Sequence, residues 1–421
     1  MKKIIGLVIA AAFGLSACSN LDHKTAHEVM SISNDRILKE DHSFNITGSS
    51  RVYISPLAEA VLADEKVEEK AKAEVEDAKA KAEDAMAKAE DAAASMEVAQ
   101  EDDAALKQEF SEREEAEFRN AMLDALPDGN IAQVAVDYLD KYPAISSYME
   151  GVHLNYESAV DLSTRQFEMI PELVINNHNE KLSIKLPMKL DAEKWEIYVD
   201  LPASVSAIVN VYTDEKIGKR LIKEPLKVSL KEIGDSKHMP FDHIAEAGVR
   251  AFLSANKAMP ADAYVFKEMD AFGKANHARY RVRHVMKPEY DSVVMKAMAK
   301  AFDEELSKLQ KTPQPGSTEE DYKNAREFFS MSVNISDNQP LSFQRIFGNN
   351  LVVDYYLDRK GRMLASRMYM QINGTHKAIN IIGDSVYSNY GKPVFKLNPQ
   401  GKGITWKELK EFFSSNKKED D

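Results

Sequence analysis

Leu182-Ser183-Ile184-Lys185-Leu186-Pro187-Met188-Lys189-Leu190 alternates apolar and polar residues along its length. A strand sends successive side chains to opposite faces, so this stretch is expected to bury its leucines, Ile184 and Met188 and to solvate its lysines. The pattern recurs on either side. Trp195, Ile197, Val199 and Leu201 alternate with Glu196, Tyr198 and Asp200, and Val205 to Val211 and Leu226 to Leu230 follow. Further on, Ala278, Tyr280 and Val282 alternate with Arg279, Arg281 and Arg283. One wet face and one dry face on each strand require an antiparallel sheet, because parallel strands are apolar on both faces.

Helical periods are interleaved with these strands. Phe241 to Ala255 and Pro288 to Gln310 carry apolar residues at helical spacing, the second opening on a proline that fits the first helical position. Leu351–Leu357, Met363–Ile372 and Ala378–Ile382 form a last set of strands, joined at Asp358-Arg359-Lys360-Gly361 and Asn373-Gly374. Thr405-Trp406-Lys407-Glu408 reads as a capping box opening a final helix. Strands and helices in this order define an α+β body.

Charge and cysteine content narrow the setting. The formal charge of −13 resides between residues 56 and 127, where 22 acidic residues face 9 basic ones; the rest of the chain carries 46 of each sign. No basic footprint for nucleic acid exists. Hydrophobic content is 44%, with 17 Phe and 16 Tyr, enough for a packed core. The single cysteine, Cys18, excludes any disulfide within the chain. No later apolar run is long enough to cross a bilayer as a helix.

Cys18 closes Leu15-Ser16-Ala17-Cys18, after Lys2, Lys3 and the apolar run Ile4 to Gly14. Positive start, short apolar core and small-residue site make a signal peptide. The tetrapeptide resembles the lipobox of bacterial lipoproteins. That resemblance implies a diacylglycerol on the Cys18 thiol, cleavage before it, and usually a further acyl chain such as palmitate on the new amine. Ser19, where enteric lipoproteins kept at the inner membrane carry aspartate, implies transfer to the outer membrane. Two or three acyl chains make a stable anchor. The polar stretch from Ser19 to Ser50 is expected to be a flexible tether.

From Ser55-Pro56 the composition changes to Ala, Glu and Lys. Ala71, Ala78, Ala85 and Ala92 alternate with Val75, Ala82, Ala89 and Met96 at spacings of four and three, the seam of a left-handed coiled coil. From Pro56 to Leu123 a continuous helix reaches roughly 100 Å. The segment resembles the helical stalks of envelope lipoproteins. Three readings remain open: a homo-oligomer through the helix at 57–110, a solitary stalk, and a helix packed on the body. Pro127-Asp128-Gly129-Asn130 ends it. The expected domain plan is signal peptide 1–17, lipidated cysteine and linker 18–54, acidic Ala-rich helix 55–126, α+β body 127–415 and charged tail 416–421.

The C-terminal half, from the hairpin Asp354–Arg367 to Tyr387-Ser388-Asn389-Tyr390-Gly391-Lys392-Pro393-Val394, resembles the lipoprotein-carrier-like group, including mycobacterial lipid-carrying lipoproteins. The resemblance implies a curved, half-barrel-like antiparallel sheet cupping helices around an apolar cavity for acyl chains, with lipid or lipoprotein as ligand. The alternative is a structural or interaction lipoprotein with the long helix as spacer or oligomerisation stalk.

Enzyme chemistry finds no foothold: zinc, phosphate-loop, dinucleotide and nucleophile-elbow motifs are missing, and no cofactor or metal is implied. Gly383-Asp384-Ser385 reads as a turn. His23 and His27, and His238 and His243, lack the further ligands that a metal site needs. Arg279, Arg281 and Arg283 form the most suggestive constellation, a strand face suited to lipid phosphates or other anionic groups, against the plainer reading of a solvated face with acidic neighbours.

Overall fold

The computed structural model describes residues 21–56, 136, 151–177, 180–205, 219–232, 236–285, 287–338, 350–399 and 402–409. Cys18, the heptad segment and the charged tail lie outside these residues, as does most of the strand expected at 205–211; residues 203–205 are helical.

The first described elements overturn the expected tether. Residues 26–39 form helix α1 (Ala26–Lys39), whose N-cap Thr25 exchanges hydrogen bonds with Glu28 in a capping box. Ala26, Val29, Met30 and Ser33 are buried at the spacing of one helix face, a stripe too narrow to show in a polar composition. Strand β1 (Ser43–Pro56) follows, so Ser55-Pro56 ends a strand and does not open a helix. Phe44, Ile46, Val52 and Ile54 keep a period of two that Gly48 and Ser50 interrupt. The folded body therefore includes residues 21–56, ahead of the expected boundary at 127.

Strands β2 (Val152–Asp161), β3 (Gln166–Asn177), β4 (Glu180–Lys185), β5 (Met188–Asp191), β6 (Glu196–Val199) and β7 (Leu226–Ser229) come next. Helix α2 (Phe241–Ala258), β8 (Tyr264–Lys267), the short helix α3 (Ala271–Ala275), β9 (Tyr280–Val285), α4 (Pro288–Leu309) and α5 (Glu319–Asn338) follow. Strands β10 (Asn350–Leu357), β11 (Met363–Asn373), β12 (Lys377–Ser388) and β13 (Ile404–Thr405) complete the described chain.

All thirteen strands belong to one open sheet in the order β13-β7-β6-β5-β3-β2-β1-β12-β11-β10-β9-β8, with β4 paired to β3. Every pairing is antiparallel except β13 with β7. The stretch 182–190 spans β4 and β5, which share one register on β3 and part at Leu186-Pro187, where proline has no N–H to donate. Gly383-Asp384-Ser385, expected as a turn, lies inside β12.

β1 and β2 are direct neighbours, Arg51 opposite His153, yet residues 57 to 151 lie between them. The acidic segment thus leaves one end of the sheet and returns to it, and does not stand between Cys18 and the body. On the same sheet face, α1 packs Val29 and Met30 against Tyr280, Val282, Leu357 and Met363. α2 sets Ala247 and Ala251 against Phe302 and Leu306 of α4 and Tyr322 and Ala325 of α5. Small residues on α2 let these helices approach closely, and Phe302 stacks on Phe329 at 3.8 Å.

Candidate functional site

The predicted arginines sit at one end of a row of polar side chains that crosses the sheet. Arg283, Asp354, Arg367, Asp384, Ser49, Asn155, Glu172 and Lys185 are successive cross-strand partners on β9, β10, β11, β12, β1, β2, β3 and β4. Directly opposed residues of antiparallel strands point to the same face, so the eight form one ladder. Its charges alternate at the arginine end, and each cation there meets a carboxylate.

Asp354, fully buried, holds two guanidinium groups. Arg283 donates to it from Nε at 2.8 Å and Nη2 at 2.9 Å, and Arg281 from Nε at 3.1 Å and Nη2 at 2.6 Å. Their side chains are only 12% and 11% exposed. Arg281 also meets Asp270 at 3.1 Å, and Asp270 accepts the Tyr356 hydroxyl at 2.6 Å. The hydrogen bonds from Arg283 to Asp354 raise the Arg283 pKa; for Arg281, burial acts to lower it and Asp354 more than offsets that. Arg367 grips Asp384 with both arms, at 2.6 and 3.0 Å, and lies 4.3 Å over the Phe272 ring of α3. Arg279 stands apart, 52% exposed, 3.4 Å from Asp22. The three arginines therefore do not converge on an open site: two are spent on a buried carboxylate, and the third faces the N-terminal turn.

Between this network and the C-terminal tail lies an open cleft of about 320 Å³, lined by Thr47, Ser49, Asn155, Glu157, Ile170, Glu172, Lys185, Asp384 and Val386. Its carboxylates are all engaged. Glu157 pairs with Lys396, Asp384 with Arg367, and Glu172 accepts Ser183 Oγ at 2.6 Å, which lowers its pKa. The tail is latched across the same face by buried Glu168, which accepts the backbone N–H groups of Lys396 and Leu397 at 2.9 and 2.6 Å. With its carboxylates paired in this way, the cleft offers no nucleophile–base pair among the described residues.

The opposite face is apolar and partly open. Leu154, Leu173 and Ile184 are cross-strand partners on β2, β3 and β4, and Leu182 lies one row on, opposite Ile175. They are 39%, 37%, 39% and 50% exposed. Next to them Val52, Ile54, Ile372, Ile379 and Ile381 gather around Val136 of the long inserted segment. Where β1 crosses this face, Gly48 leaves room for the Tyr156 ring to reach across and hydrogen-bond Ser385 Oγ at 2.5 Å. Four aliphatic side chains about 40% exposed represent roughly 3–4 kcal/mol of apolar surface still in water.

Two of the histidines weighed as metal ligands contact other groups: His27 Nε2 lies 3.1 Å from the Met259 carbonyl, and His243 bonds the Tyr322 hydroxyl. His284 is different. It is buried against the Tyr264 ring at 4.7 Å, its Nε2 has no partner among the described residues, and burial lowers its pKa to about 4. Asp354 and the Leu154–Leu173–Ile184 row were not singled out in the sequence. A single aspartate in a charged hairpin looks like any solvated turn, and the row exists only once strands are set in register. No family model, curated protein or solved structure matches this chain.

Proposed function

We propose that this is a bacterial envelope lipoprotein, anchored through Cys18 in the outer membrane, whose curved sheet and helices form a cup that binds an apolar ligand such as a lipid acyl chain. The observation that carries the binding reading is the exposed apolar row Leu154–Leu173–Ile184 with Leu182, in register on the sheet face against which α1 packs. Contiguous exposed apolar surface of this kind marks a binding site more often than chance exposure does. The polar face argues against the ligand's binding there, because an anion could displace Asp354 only by stripping two largely buried guanidinium groups of their partner.

Lipid should co-purify with the Cys18→Ser chain and appear in its native mass spectrum, and Leu173→Glu with Ile184→Glu should abolish it. A folded Cys18→Ser chain that arrives empty and also rejects fatty-acid probes overturns the proposal. A second reading, an interaction protein that assembles through its acidic helix, is supported by the placement of the segment 57–151 as an insertion between neighbouring strands. Sedimentation of the whole chain against a variant lacking that segment distinguishes a homo-oligomer from a monomer.

A further inference from the structure

Leu21 is 3% exposed and belongs to the core formed by Val29, Met30, Tyr280, Val282 and Leu357. Only Ser19 and Asn20 lie between it and Cys18, a span of three residue steps. Three steps span roughly 10 Å at full extension, so an acyl-bearing Cys18 cannot hold this body away from its bilayer. One end of the sheet must then lie at the headgroups, and the register identifies which. β1 begins, β2 ends, β9 begins, β10 ends and β11 begins at the end where Leu21 packs. Leu21 itself sits against Gly361, 3.3 Å from where a Cβ would stand, beside the tip of the β10–β11 hairpin.

The chemistry of that end suits an anionic lipid surface. Arg359 and Lys360 form the exposed hairpin tip, and among the described residues neither they nor Lys24 forms a salt bridge. At the neighbouring β2–β3 hairpin, Leu162 is 45% exposed, its N–H bonded to the His42 carbonyl just before β1. Cations attracted to headgroups beside an apolar side chain able to enter their boundary form a peripheral membrane contact. The opposite end carries Pro56, Val152 and the β11–β12 turn, with His376 exposed. β1 is 14 residues long, so the two ends lie about 45 Å apart at roughly 3.3 Å per residue. The segment from 56 to 127, which holds the chain's net charge of −13, thus departs from the end away from the anchor, as repulsion from an anionic surface favours.

We propose that the hairpin tips at Arg359–Lys360 and Leu162 rest on anionic headgroups of the anchoring bilayer, with Pro56, where the acidic segment begins, at the far end of the sheet. This rests on acylation of Cys18, which the experiment checks separately. Because Cys18 is the only cysteine and its thiol is consumed, one introduced cysteine labels uniquely. The lipidated full chain, carrying a fluorophore at Lys360→Cys or at His376→Cys, is reconstituted into phosphatidylethanolamine–phosphatidylglycerol vesicles containing a headgroup-nitroxide lipid. Quenching should be several-fold stronger at 360 than at 376, and the combined Arg359→Glu and Lys360→Glu changes should weaken quenching of a label at Leu162→Cys. An acylated chain quenched equally at 360 and 376, or more at 376, overturns the orientation alone. An intact mass showing bare Cys18 overturns the anchoring reading and the orientation with it.

Discussion

Replacing Asp354 by asparagine keeps the shape of the side chain and removes the charge that two guanidinium groups share. Asp354 is wholly buried and receives four N–H donations at 2.6 to 3.1 Å from Arg281 and Arg283, themselves 11% and 12% exposed. Losing the anion leaves one positive charge uncompensated at Arg283 and another shared only with Asp270. Breaking a buried pair from one side costs about 3–5 kcal/mol, whereas an exposed pair costs under about 1. Urea unfolding followed by circular dichroism should therefore show Asp354→Asn destabilised by about 3–5 kcal/mol. Adding Arg283→Met should recover part of that loss, since the stranded charge goes with it. A loss below about 1 kcal/mol would refute the reasoning. It would mean that the arginines are solvated and free to meet an external anion, as their alternation along β9 suggested.

Protonation of His284 should destabilise the fold. Its folded pKa of about 4 lies below the ordinary 6.5, so the folded state binds fewer protons than the unfolded state between these values. Stability is then full above about pH 6.5 and declines as pH falls toward 4, by at most about 3 kcal/mol. Urea titrations across that range should show a shallower decline for His284→Phe; an unchanged pH slope would contradict the assignment. Tyr264, the ring beside it, is pushed up to about 12 by burial and stays neutral throughout. Gly48→Ala should cost about 1–3 kcal/mol in the same assay, because the added Cβ would stand 2.3 Å from the Tyr156 ring and 2.7 Å from the Asp384 carbonyl. Wild-type stability there would show that the crossing ring is not constrained.

Much of the sheet was legible because its alternation is local. The period-two runs at 182–190, 195–201, 278–283 and 363–372 all fall in or overlap strands, and the helices at 241 and 288 start where their patterns begin. The N-terminal region was not legible for a specific reason. α1 buries a narrow stripe of Ala26, Val29, Met30 and Ser33, and β1 interrupts its apolar face with Gly48 and Ser50, so both resemble a polar linker in composition. The placement of β1 beside β2, across the whole segment 57–151, is a long-range pairing that no local pattern encodes. The same limit applies to the site. Arg279, Arg281 and Arg283 stood out as a basic strand face, but their partners come from Asp22, Asp270 and Asp354, up to 257 residues away.

Photolabelling tests ligand placement most directly. The folded Cys18→Ser chain is incubated with a photoactivatable fatty acid, and the modified residues are mapped by mass spectrometry. Crosslinks should concentrate on β2, β3 and β4 around Leu154, Leu173, Leu182 and Ile184, and disappear in the Leu173→Glu and Ile184→Glu double variant. A chain that takes up no probe, or labels instead on the Asp354–Arg367–Asp384 face, would contradict the assignment of an apolar ligand to this surface.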